Sequence, residues 1–124
     1  MSFESEKIEQ IEKRIEQIEF RQQLLFDNDE VSRLLFEYNI TKQQYNSIMD
    51  IMDIYRTKIG KKEDVSYHSF ENEIYKVIPE HDGDYHMCEY IARAFMDAGR
   101  WEEVFKVLYS KMPKYRSIMD DENE

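Results

Sequence analysis

The sequence predicts an all-α, multihelical fold, with a long N-terminal coiled-coil-like helix followed by a compact helical bundle. Only two Pro and three Gly interrupt the 124 residues, and charged residues make up 35% of the chain. Apolar residues recur at spacings of three and four, which is typical of helices. Because helices with wide solvated faces accommodate so much charge, we expect five or six helices and no sheet.

The first predicted helix covers residues 4–26 and carries a heptad pattern. From Ile8 onward, its a and d positions hold five aliphatic residues and one glutamine: Ile8, Ile11, Ile15, Ile18, Gln22 and Leu25. A lone helix with so narrow an apolar stripe is marginal in water, so this helix needs a partner. We predict that these six residues form the interface of a homo-oligomer.

The charges beside the stripe predict the orientation of that oligomer. Bases occupy the g positions and acids the e positions: Lys7, Arg14 and Arg21 at g, Glu12 and Glu19 at e. In a parallel coil Lys7 faces Glu12 and Arg14 faces Glu19, whereas an antiparallel coil places bases against bases. Isoleucine at both a and d favours three or four strands, so we expect a parallel trimer. The alternative is that the helix folds back on its own chain.

Turn and capping residues divide 29–113 into shorter helices. We expect Asn39 to end the first of them. Thr41, with Gln44 three residues later, matches a capping box at the start of a longer helix. Gly60 lies where a left-handed cap would end that helix.

The second half of the chain predicts three further helices. Ser66 is the expected N-cap of a helix that Pro79 stops. Asp84 caps the next helix, which closes at Gly99, and Arg100 begins the last one. This pattern shows no domain boundary.

We therefore predict a single helical domain over residues 1–113. It comprises the oligomerisation helix, residues 4–26, and a helical bundle, residues 29–113. Residues 114–124 form an acidic C-terminal tail that we expect to be disordered.

One segment collects residue types that bind metals, namely His81, Asp82, Asp84, His86 and Cys88. Their spacing matches no zinc motif, and a calcium loop would need further ligands. Helix capping by an acidic loop explains these residues, so we predict no metal, cofactor or catalytic residue. A metal-binding protein or enzyme that uses the segment from His81 to Cys88 is retained as an alternative.

The basic residues concentrate in one patch, Arg56, Lys58, Lys61 and Lys62. Cations at a helix C-terminus complement the helix dipole, which is the simpler explanation of the patch. A transcriptional regulator that binds DNA through it is a further alternative.

The net charge of −10 bears on partners and location. An acidic surface repels phosphate backbones and anionic membranes, so we expect neither nucleic acid nor membrane as a partner. The single cysteine excludes an intrachain disulfide, and the expected location is the cytoplasm.

The heptads and the late hinge resemble a known family. Residues 7–12 (KIEQIE), 14–19 (RIEQIE) and 95–101 (FMDAGRW) are similar to the YhaI-like proteins, small proteins of Gram-positive bacteria. The capped helices at Thr41 and Ser66 follow in a similar order. The resemblance implies a multihelical fold compatible with oligomerisation, and it transfers no catalytic residue.

These observations predict an oligomeric interaction or scaffold protein without catalytic activity. Its expected partner is a second copy of itself, and another protein partner is compatible with the many aromatic and methionine residues.

Overall fold

The computed structural model describes residues 2–115, most of which lie in six α-helices. These are α1 (Phe3–Asp27), α2 (Glu30–Glu37), α3 (Lys42–Gly60), α4 (Tyr67–Val77), α5 (Tyr85–Asp97) and α6 (Glu102–Tyr109). A short 3-10 helix, Pro79–His81, lies between α4 and α5. Residues 2–115 contain no strand, which confirms the predicted all-α, multihelical class.

Two compact units make up the chain, Met1–Tyr45 and Asn46–Glu124. The boundary falls within α3, at a point where the sequence pattern gave no sign of a division. None of the helices within residues 2–115 is long and apolar enough to span a membrane.

The predicted capping box at the start of α3 is present. The backbone N–H of Gln44 donates to Thr41 Oγ1 at 3.1 Å, and the backbone N–H of Thr41 donates to Gln44 Oε1 at 3.0 Å. Ser66 caps α4 and Asp84 caps α5 through the same kind of bond, as predicted. Each such cap typically contributes about 1 kcal/mol to stability.

Asn39 and Gly99 end their helices in the left-handed conformation, with φ of 54° and 74°. The predicted left-handed cap at Gly60 is wrong, because Gly60 is the last helical residue of α3. Lys62 is the left-handed residue, with φ of 60°. Bonds from Lys62 N to Ile59 O (3.0 Å) and from the next amide to the carbonyl of residue 58 (2.9 Å) close the helix two residues further on.

The last helix begins later than predicted. Arg100 and Trp101 precede α6, and Trp101 adopts a left-handed conformation with φ of 48°. Its indole Nε1 donates to Asp53 Oδ1 at 2.7 Å, and its ring meets Phe95 edge-on at 5.0 Å. These contacts from α3 and α5 hold Trp101 outside the helix.

The core of the second unit draws on four helices. Apolar side chains of α3, α4, α5 and α6 are buried there, among them Ile48, Met52, Tyr55, Phe70, Ile74, Met87, Phe95, Val104 and Phe105. Tyr115 is also buried, although the tail was predicted to begin at residue 114. Lys114 and Tyr115 are therefore part of the packed fold, while the rest of the predicted tail, 116–124, lies outside the described residues.

Candidate functional site

The face of α1 that packs within the first unit contains both apolar and polar side chains. Leu24 is buried, and Phe20 is half-buried with its ring 6.4 Å from that of Tyr45. Arg21 Nη1 donates to the carbonyl of Phe36 at 2.9 Å and to Asn39 Oδ1 at 2.8 Å. These contacts fasten the C-terminal half of α1 to α2 and to the turn that follows α2.

The predicted interface residues lie on a different face of α1 and are exposed. The exposed fractions of Ile8, Ile11, Ile15, Ile18 and Leu25 range from 46% to 63%, and Gln22 is exposed as well. At about 100° per residue, the centre of this stripe lies roughly 140° around the helix from the packed face. The packing of α1 on its own unit therefore leaves the stripe uncovered.

The flanking charges divide into two groups. Lys7, Glu12, Arg14 and Glu19 are exposed beside the stripe, as an intermolecular role requires. Arg21 is bound to α2, and its guanidinium carbon lies 3.8 Å from the centre of the Phe36 ring. Arg21 therefore binds within its own chain. Its contacts do not support the intermolecular role that was predicted for all three bases at g positions.

The sequence itself distinguishes Arg21 from Lys7 and Arg14. In a parallel coil the partner of Arg21 would be residue 26, five positions later, which is phenylalanine rather than an acid. Phe26 is 85% exposed and extends the apolar stripe beyond Leu25.

The possible metal ligands between His81 and Cys88 do not converge on one site. Asp84 caps α5, His86 is exposed, and Cys88 is fully buried beneath the helix surface. Burial raises the pKa of the Cys88 thiol to about 12, with the Glu71 carboxylate adding to the effect. Within residues 2–115 no three His, Cys, Asp or Glu side chains come together in a metal-binding arrangement.

The basic patch is partly occupied by contacts within the second unit. Arg56 Nε forms an ion pair with Glu103 of α6, and this hydrogen bond lowers the pKa of the Glu103 carboxyl. Lys58 Nζ lies 5.2 Å from the centre of the Tyr55 ring, and Lys62 closes α3. Arg56 and Lys58 therefore both make structural contacts within the second unit.

Two buried carboxylates were missed by sequence reasoning. Glu71 of α4 accepts a hydrogen bond from Tyr109 Oη at 2.8 Å, and Glu89 of α5 is 1% exposed. The helical spacing could have indicated that Glu89 is buried. It lies three and seven residues before Ala92 and Met96, which places it on the same buried face of α5.

Comparisons with known proteins leave the family open. No protein-family model, curated protein or solved structure matches the chain.

Proposed function

We propose that this protein is a parallel homo-oligomer, with a trimer favoured, that acts in the cytoplasm as a non-catalytic interaction or scaffold protein. Its interface is the α1 stripe, made of Ile8, Ile11, Ile15, Ile18, Gln22 and Leu25. The observation that carries the proposal is the exposure of this stripe on a helix whose other face is already packed. Contiguous exposed apolar surface of this kind marks interaction sites.

The energetics favour hydrophobic burial as the source of affinity. Complete burial of an isoleucine side chain contributes about 1.5–3 kcal/mol, and a surface ion pair less than about 1 kcal/mol. The stripe would therefore set the stability of the oligomer. The pairs of Lys7 with Glu12 and Arg14 with Glu19 would set its orientation.

A mass measurement on the intact protein tests the assembly. Light scattering should give a multiple of 15.2 kDa, with three copies favoured. The double variant Ile11→Asp/Ile15→Asp should be monomeric or unfolded, because it places charges inside the interface. Lys13→Asp is the matched control, since it makes the same change in net charge at an exposed position outside the stripe and should keep the oligomeric mass. A monomeric intact protein at roughly 10–50 μM, far above the Kd of a stable coil, would contradict the proposal.

A cross-linking experiment tests the orientation. Glu4 and Leu25 occupy d positions that would lie about 32 Å apart in a parallel coil. Under mild oxidation, Glu4→Cys and Leu25→Cys chains should each cross-link to their own kind. Disulfides between the two variants in a mixed sample would indicate an antiparallel coil. The native Cys88 is buried and should not interfere.

A further inference from the structure

The carboxylate of Glu89 lies beneath the segment that follows α6. Lys114 Nζ donates to Glu89 Oε1 at 2.9 Å and to Oε2 at 2.8 Å, and Tyr115 Oη donates to Oε2 at 2.7 Å. The Glu89 side chain is 1% exposed, whereas that of Lys114 is 45% exposed. The carboxylate is therefore buried, while the cation that neutralises it reaches the solvent.

Aromatic rings complete the surroundings of the ammonium group. Lys114 Nζ lies 5.7 Å from the ring centre of Tyr85 and 5.1 Å from that of Tyr115. His86 Nδ1 lies 3.8 Å from Glu89 Oε2. A buried carboxylate beside aromatic faces has the chemistry with which proteins recognise ammonium ligands.

We propose that Glu89, Tyr85 and Tyr115 form a binding site for a primary alkylammonium group, which Lys114 occupies from within the chain. Glu89 and Tyr85 belong to α5, so the backbone that carries them does not depend on Lys114. The Tyr115 ring meets the Phe105 ring of α6 edge-on at 5.0 Å, which anchors it independently. A chain that lacks the Lys114 side chain should therefore retain the site.

The geometry selects a primary ammonium over other cations. Both oxygens of Glu89 accept from one nitrogen, which requires a compact group with several N–H donors. A quaternary ammonium has no N–H to donate. Because a buried unpaired carboxylate is costly, a vacated site strongly favours a cation of the right shape. In the intact chain Lys114 competes at a high effective concentration, so external amines should bind weakly there.

Rescue of a vacated site tests the proposal in the full-length chain. Lys114→Ala should lower the midpoint of thermal unfolding. Adding n-butylammonium chloride should raise this midpoint saturably, by roughly 5 °C at ten times its Kd. Sodium chloride at equal ionic strength, tetramethylammonium chloride and butan-1-ol serve as controls, and each should give a smaller shift. A rise no larger than that with sodium chloride would overturn the proposal.

Two further arms keep the test decisive. Lys114→Met removes the ammonium group but keeps an unbranched apolar side chain at this position, so it serves if Lys114→Ala does not fold. Adding Glu89→Gln to either variant should abolish the butylammonium effect, and a persistent effect would contradict the site. If neither variant folds, NMR of the intact chain provides the readout. High butylammonium should then shift the ring signals of Tyr85 and Tyr115 more than sodium chloride does, and equal shifts would overturn the proposal.

Discussion

Arg21 Nη1 and Asn39 Oδ1 are 2.8 Å apart, which joins the C-terminal half of α1 to the left-handed turn that ends α2. The same Asn39 oxygen accepts from Gln17 Nε2 at 3.2 Å, one turn earlier on α1. One asparagine therefore ends α2 and also receives two side chains of α1. The face of α1 that carries Gln17 and Arg21 therefore stabilises its own unit, whereas the exposed stripe is available to a partner.

The two arginines at g positions should respond differently to substitution. Arg21→Gln removes a bond to the Phe36 carbonyl and a cation–π contact, so it should lower the free energy of unfolding by about 1–2 kcal/mol. Arg14→Gln should have little effect on chain stability, but should weaken the proposed oligomer because it removes a pair with Glu19. Urea unfolding and sedimentation equilibrium measure the two effects. Equal effects of both variants on assembly would contradict this division.

Substitution of two glycines by alanine should change stability in opposite directions. Gly60 lies inside the last turn of α3 with nothing within 4 Å of an added Cβ, so Gly60→Ala should stabilise by about 0.5–1 kcal/mol. Gly99 has φ of 74°, so Gly99→Ala should destabilise by about 1 kcal/mol or more. Chemical denaturation of both variants measures the difference. A destabilising Gly60→Ala would show that α3 ends earlier than described.

Loss of the capping box should lower the free energy of unfolding more than loss of an ordinary threonine hydroxyl in α3. Thr41→Ala removes the acceptor for the Gln44 amide and should cost about 1 kcal/mol. Thr57→Ala is the matched control, because Thr57 Oγ1 only donates back to the Asp53 carbonyl within α3, at an exposed position. Its effect should stay within about 0.5 kcal/mol. Urea unfolding that gave equal losses for the two variants would argue against the capping box.

The stability of the second unit should depend on the charge of Glu71. Burial raises the pKa of its carboxyl in the folded protein, although the hydrogen bond from Tyr109 opposes the shift. A raised folded-state pKa contributes stability below the unfolded pKa, and this contribution is lost as the pH rises through the folded pKa. Relative to the native chain, Glu71→Gln should therefore become progressively more favourable between pH 4 and pH 7.

A variant of the hydrogen-bond donor tests the same cause. Tyr109→Phe removes the bond that lowers the Glu71 pKa, so its stability should fall more steeply with rising pH than that of the native chain. Denaturant titrations at several pH values measure both trends. A Glu71→Gln difference that stays constant across this range would mean that burial does not raise the pKa of Glu71.

The sequence by itself determined the helical class and most helix ends. The caps at Thr41, Ser66 and Asp84 use hydrogen bonds between residues three apart, so the residues that decide them lie side by side in the sequence. The heptad stripe is equally local, because its spacing alone places the isoleucines on one face. These signals are readable without tertiary structure because no distant residue takes part in them.

Only the tertiary structure decided how several charged and polar residues are used. Arg21 meets Phe36 across 15 residues of sequence, and Glu71 meets Tyr109 across 38. Lys114 meets Glu89 across 25 residues, which turns a predicted tail residue into the partner of a buried carboxylate. A buried carboxylate is costly without a partner, and here each partner comes from a distant part of the chain. Residue type and local spacing could not specify these pairs, because they depend on how α1 packs on α2 and how α4, α5 and α6 meet.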